Sequence, residues 1–175
     1  MNENFYFIRF TYMQDLILDP VDLALLAELQ RDAARSNQAL AEAVGVSPAT
    51  SLRRVRRLTE LGVIERQVAL LNPDRLAAAL GHGLSALVEV SLDRQGTEQL
   101  DAFEARAVAD AAVQQCWRVS PGPDFVLVVA VRDMPGYQAL AQRLFTQDAN
   151  VRNVRAFFGL KRAKFAPAQP LPAAG

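Results

Sequence analysis

The chain has 175 residues, 51% hydrophobic and 22% charged, which excludes a disordered polymer and allows one or two domains with a real core. Nineteen Lys and Arg balance nineteen Asp and Glu, so bulk charge indicates neither nucleic acid nor membrane as partner, and only local charge placement can. With one cysteine (Cys116) and one histidine (His82), no intramolecular disulfide or cysteine zinc cluster can form, and a histidine-based triad has little to work with.

Met1–Met13 is aromatic but short, without a cleavable signal pattern. It reads as an extension over residues 1–14, with Met1 and Met13 both open as the start and Met1–Tyr12 either an upstream-start extension or a short strand. No stretch approaches the roughly 20 apolar residues of a membrane span, so a cytoplasmic protein is expected.

The first helix is announced at Asp19-Pro20, an N-cap followed by proline at the first helical position, and is expected to run to about Asp32. Leu23, Leu26 and Leu29, widened by Val21 and Leu25, make its apolar stripe. Ser36 caps a short second helix with Leu40, Ala41 and Val44 inward, and Gly45 stops it. Ser47-Pro48 opens a third helix that continues to Leu61 and ends at Gly62. Two short helices around a glycine-containing turn have the shape of a helix-turn-helix.

Alternation then sets in, and Glu65–Leu71 is expected as a strand, a wing or hinge. Asp74–Leu80 reads as a helical turn. The second half reads β-α-β-β-α-β: strand Leu84–Leu92, helix Thr97–Ala109 on Leu100, Phe103 and Val108, strand Val113–Val119, and strand Phe125–Val131. Helix Pro135–Gln147 on Tyr137, Leu140, Leu144 and Phe145 follows, then strand Val151–Leu160. That order is ferredoxin-like. Cys116, in an alternating strand, reads as a buried apolar residue rather than a reactive thiol. The expected α+β organisation is a winged helix-turn-helix over 15–66, a hinge strand and linker over 67–82, a ferredoxin-like domain over 83–165 and a disordered tail over 166–175.

The third helix carries the chemistry. Between Ser47 and Leu58 it holds Arg53, Arg54, Arg56 and Arg57 and no acid; the first acid is Glu60. At about 100° per residue, Leu52, Val55 and Leu58 share an arc facing the domain. Thr50, Arg53 and Arg57 lie opposite, with Ala49, Arg54 and Arg56 on the shoulders. Such a face suits a major groove: arginine pairs bidentately with guanine O6 and N7, small Ala49 and Thr50 approach a thymine methyl or base edge, and flanking arginines meet phosphates. Ser47 caps the helix beside N–H groups that can hold a phosphate, and Ser51 belongs to the same candidate set. A solvated charged face is the alternative, but such a face normally mixes signs.

The segments LDPVDLALLAELQRDAARSN, LAEAVGVSPATSLRRVRRLTELGVIERQVALLNP and DMPGY together resemble the Lrp/AsnC (leucine-responsive, feast/famine) family of transcriptional regulators from Leu18 to about Leu160. The resemblance implies a winged helix-turn-helix that binds double-stranded DNA through Ser47–Leu61. It also implies a ferredoxin-like domain that pairs into homo-dimers and often higher assemblies such as octamers, and an amino-acid effector. It matches Arg35 to a basic position that can contact phosphate. It places the effector loop at Val119–Phe125, with Ser120, Gly122 and Asp124 as effector-binding candidates. Here the chain departs from the family: Pro121 stands where glycine is usual, removing an N–H, and Val154 and Ala156 stand where threonine hydroxyls often occur. A buried amino-acid ligand needs partners for both charges, so these losses predict a less polar effector, or none. No metal or cofactor is expected, nor an enzyme. Two rivals remain. One is an enzyme similar to haem-pathway decarboxylases of the same architecture, for which QQCWRVSPGPDFVLVV offers Trp117 and Arg118 but no histidine or tyrosine. The other is an assembly or effector-binding protein with a degenerate DNA domain.

Overall fold

The computed structural model describes residues 17–81 and 83–172. The expectations for the extension at 1–14, for the choice between Met1 and Met13, and for His82 lie outside the described residues. The chain divides into two units, one drawn from Met1–Ala69 with Phe165–Gly175 and the other Leu70–Lys164.

In the first unit, α1 is Pro20–Arg31, α2 Asn37–Val44 and α3 Pro48–Glu60. Their starts are written locally. The Asp19 carboxylate accepts from the Asp22 N–H at 2.9 Å while the Asp22 carboxylate accepts from the Asp19 N–H at 3.3 Å, a reciprocal capping box. Ser36 and Ser47 cap α2 and α3 through the N–H groups of Ala39 and Thr50. Gly45, at φ +74°, ends α2 in the left-handed region that glycine enters without strain, and its N–H reaches the carbonyls of Ala41 and Glu42. Leu25, Leu26, Leu40, Ala41 and Leu58 are buried. Each large side chain among them contributes roughly 1.5–3 kcal/mol.

Residues expected to form a disordered tail return to this unit. The Gln30 side-chain amide donates to the Gln169 carbonyl at 3.1 Å and its oxygen accepts from the Gln169 N–H at 2.5 Å. Ala27, Gln30 and Arg31 on α1 and Ala168, Gln169, Leu171 and Pro172 on the tail line a shallow groove. Prolines 167, 170 and 172 restrict the backbone to extended conformations, so little entropy opposes this seating. Gln30→Ala removes both bonds. Because they are exposed, stability should fall by no more than about 1 kcal/mol, while hydrogen exchange at the Gln169 amide should lose its protection.

The expected strand at Glu65–Leu71 does not form. A strand needs a ladder partner, and none pairs with this segment among the described residues, so it runs as irregular backbone with Val68, Leu70 and Leu71 exposed.

The second unit begins with α4, Pro73–Leu80, a full helix capped by Asn72 rather than one turn. It continues through β1 (Leu84–Leu92), α5 (Thr97–Ala109), β2 (Val113–Arg118), β3 (Phe125–Val131), α6 (Met134–Ala141) and β4 (Val151–Phe158). The sheet order is β2-β3-β1-β4, antiparallel throughout, the ferredoxin-like arrangement. One sheet face presents Ala86, Val88, Val90, Leu92, Phe125, Leu127 and Val129 to a core completed by Phe103, Ala107, Leu140, Leu144 and Phe145. Cys116 packs half-buried against that core, and burial pushes its thiol pKa up. On α5 the inward position is Ala107, not Val108, which is exposed. The last helix is α only to Ala141; Gln142–Thr146 is a π-helical turn, and its wider winding accompanies burial of the adjacent Leu144 and Phe145.

Candidate nucleic-acid interface and effector loop

On α3 the structure sorts the basic residues into two kinds. Arg54 Nη1 donates to Asp19 Oδ2 at 2.6 Å and to Asp22 Oδ1 at 2.9 Å. Arg57 Nη1 lies 3.2 Å from Asp22 Oδ2 and its Nη2 donates to the Ile17 carbonyl at 3.3 Å. Asp22 is buried, at 1% exposure, so it must be paired, and these two guanidinium groups are the cations that pair it. Arg53 is exposed with no ion pair among the described residues, and Arg56 is exposed with only Glu60 nearby, at 3.7 Å. Such an exposed pair is worth little and yields readily to a phosphate.

The expected groove face is therefore corrected. Ser51 is fully buried and its hydroxyl has no partner among the described residues, so it cannot touch a duplex. Arg54 and, to a lesser extent, Arg57 hold α3 to α1 rather than facing outward. Leu52, expected inward, is 62% exposed. The outward side of α3 is rotated by about 80° from the expected one and carries Ala49, Leu52, Arg53 and Arg56. Periodicity assigned Leu52 to the core because it is apolar; a buried acid on the neighbouring helix outweighs that preference by drawing Arg54 and Arg57 to itself. Ser47 is exposed at the helix start, and its hydroxyl sits 2.9 Å from that of half-buried Thr50, which restricts Thr50 as a base contact. Arg35, before α2, is engaged by Glu28 at 2.6 Å. Asn37, unremarked in the sequence, ties the two helix starts together by donating to the Pro48 carbonyl at 2.8 Å.

The Asp22 N–H, and after it the Arg54 guanidinium, hold the Asp19 carboxyl below its ordinary value of 3.8. A carboxyl depressed by folding contributes stability above that ordinary value and loses it as pH falls through the folded one. Asp19→Asn keeps a good cap but not the charge, so it should flatten the decline of stability below about pH 4. Thermal melts from pH 2 to pH 6 read this directly. Asp110, held down by the Arg143 guanidinium, supplies the same sign of dependence in the second unit and should persist in the variant.

In that unit the loop expected to meet an effector follows β2. Ser120 and Gly122 are exposed, Gly122 at φ +125°, where only glycine is unstrained, and the Ser120–Pro121 peptide is cis. Asp124 is committed to the sheet: its Oδ2 accepts from the Leu92 N–H at 2.7 Å where the β1–β4 register shifts, and its own N–H donates to the Val90 carbonyl at 2.9 Å. The aspartate thus closes a gap in the ladder. Arg118, weighed as an enzymatic residue, donates to Asp101 and Glu104, both at 2.7 Å, and stacks over Phe125.

Residues 18–59 match the AsnC-type helix-turn-helix domain and residues 85–169 the Lrp/AsnC ligand binding domain. The chain belongs to the Lrp/AsnC family. It is 39% identical over 147 residues to the leucine-responsive regulatory protein of Rhizobium meliloti, covering 84% of this chain and 92% of that one. Against the Bkd operon transcriptional regulator of Pseudomonas aeruginosa the identity is 36% over 154 residues, covering 88% and 98%. Among solved structures, the Neisseria meningitidis transcriptional regulator NMB0573 in complex with L-Met is similar, with 27% identity, a TM-score of 0.75 and coverage of 88% and 97%. These Lrp/AsnC relatives are transcriptional regulators, and among the described residues no helix is long and apolar enough to cross a membrane.

Proposed function

We propose that this Lrp/AsnC regulator reads duplex DNA in the cytoplasm with the outward side of α3, Arg53 and Arg56 with Ala49 between capped Ser47 and the rest of the helix, and with Arg35 at most a flanking phosphate contact. The observation that carries the reading is the division of labour on α3: Asp22 engages Arg54 and Arg57, while Arg53 is left without an internal ion pair and Arg56 with only an exposed one. Selection of bound duplexes from a random pool, followed by anisotropy titration, tests it. Enrichment of a site with two related half-sites supports it, and recovery of no preferred sequence refutes it.

A single helix-turn-helix makes few base contacts, so a symmetric assembly is required to read two half-sites. The sheet face opposite the core supports pairing with a second copy. Its cross-strand rows run Gln115–Val128–Leu87–Phe157 and Trp117–Val126–Glu89–Arg155, with Leu87, Trp117 and Phe157 about half exposed. Antiparallel sheets that face water normally carry polar side chains there. Leu87→Glu should convert the assembly toward monomer in sedimentation velocity.

The effector we infer is an amino acid with an apolar side chain, supported by the match to a ligand binding domain and by the L-Met complex of the similar Neisseria regulator. Ser120 and the exposed Gly122 backbone offer polar contacts, whereas Asp124, with Oδ2 held by Leu92, has only its second oxygen for an ammonium. Calorimetry should detect methionine or leucine and not aspartate or lysine; tight binding of a small polar amino acid would overturn the apolar assignment.

A further inference from the structure

Leu52 lies outside the buried core of the described residues. It is 62% exposed, while Ser51 and Leu58, on either side of it along the helix, take the buried side. Ala49, Leu52, Arg53 and Arg56 stand at helical spacing i, i+3, i+4 and i+7, so they form one stripe down α3, about 10 Å long at 1.5 Å per residue. That length matches about three base steps. On this stripe the Arg53 guanidinium fits paired acceptors such as guanine O6 and N7, and that of Arg56 fits a phosphate. The branched apolar side chain of Leu52, next to Arg53 and one turn before Arg56, fits a different feature. The apolar group on the major-groove edges is the C5 methyl of thymine, and a polar base edge facing Leu52 would lose water without gaining a hydrogen bond. Scattered exposed leucines are ordinary elsewhere on a protein; on a surface that a duplex must dehydrate, a leucine acts for or against particular bases.

We propose that Leu52 is a specificity-determining residue that selects thymine, through its C5 methyl, next to the base read by Arg53. The inference rests on the DNA-reading assignment of α3 and adds to it a base and a side chain. The test uses the full-length protein and the duplex recovered by selection. Replacing the thymine at the candidate position of each half-site by deoxyuridine deletes only the methyl. Wild-type affinity should fall about three- to fivefold per half-site, the effect of one exposed methyl group. 5-Methylcytosine in place of cytosine at that position should recover part of the preference. Leu52→Ala should bind the thymine and deoxyuridine duplexes alike, and selection with it should relax at that position while the guanine positions persist. The deoxyuridine arm needs no variant, so a folding defect cannot mimic the result. A wild-type protein indifferent to deoxyuridine at every thymine overturns the inference while leaving the guanine reading intact. So does a Leu52→Ala protein that changes assembly state but keeps the thymine preference, since Leu52 would then be covered by a second copy. Failure to bind any duplex would instead remove the DNA reading itself.

Discussion

Asp22→Asn should lower the stability of the helix-turn-helix unit by about 2–3 kcal/mol, seen as a fall of roughly 10–20 °C in its melting temperature. Breaking a buried ion pair by deleting one partner typically costs about 3–5 kcal/mol because the other charge is stranded. The expected loss is smaller here. Arg54 and Arg57 are 22% and 41% exposed at their side chains, so water and Asp19 absorb part of the stranded charge. The capping box also weakens, since an asparagine amide retains the contact to the Asp19 N–H without the charge. Removing all the charges should be gentler than removing one: Asp22→Leu combined with Arg54→Met and Arg57→Met is expected to melt nearer to wild type than Asp22→Asn alone. Far-UV circular dichroism melts of the three proteins decide it. Equal melting of Asp22→Asn and wild type would mean that the ion network does not hold α3 to α1.

Arg53→Ala is expected to reduce affinity for the selected duplex by about 1–3 kcal/mol, five- to 150-fold, and to relax the preference at one position per half-site. Arg56→Ala should weaken all duplexes similarly and reduce the slope of log affinity against log salt by about one ion per half-site. The contrast with Arg54→Ala separates reading from scaffolding. Its guanidinium sits on two carboxylates, so it neutralises no phosphate, and its loss should lower stability while leaving the salt slope unchanged at temperatures where the unit stays folded. Arg53→Ala should leave the melting temperature within about 2 °C of wild type, because the side chain is exposed and makes no ion pair among the described residues. An Arg54→Ala protein with a flatter slope and normal stability would return that residue to the groove and reverse the orientation of α3.

Order and type of the elements were legible because they depend on neighbours in sequence. Asp19-Pro20, Ser36, Ser47-Pro48 and Gly45 act on N–H and carbonyl groups within four residues, and the limits of β1, α5 and β3 coincide with runs of alternating or helical period. Family membership was legible for the same reason, since its motifs lie along contiguous segments. The wing strand was not, because a ladder partner is a property of assembled chains rather than of the residues that would form the strand.

A helix-turn-helix with a basic third helix, followed by a ferredoxin-like sheet, follows from local patterns along the chain. Tertiary structure alone decided which arginines face outward. Asp22 meets Arg54 and Arg57 from 32 and 35 residues away, and no periodicity along α3 registers a buried carboxylate on another helix. The same holds for Asp124 filling the Leu92 N–H and for Gln30 receiving the Gln169 backbone 139 residues later. For Asp22 and the Leu92 N–H a polar group shielded from water takes whichever partner folding brings within reach, and that outweighs the sorting of side chains by hydropathy.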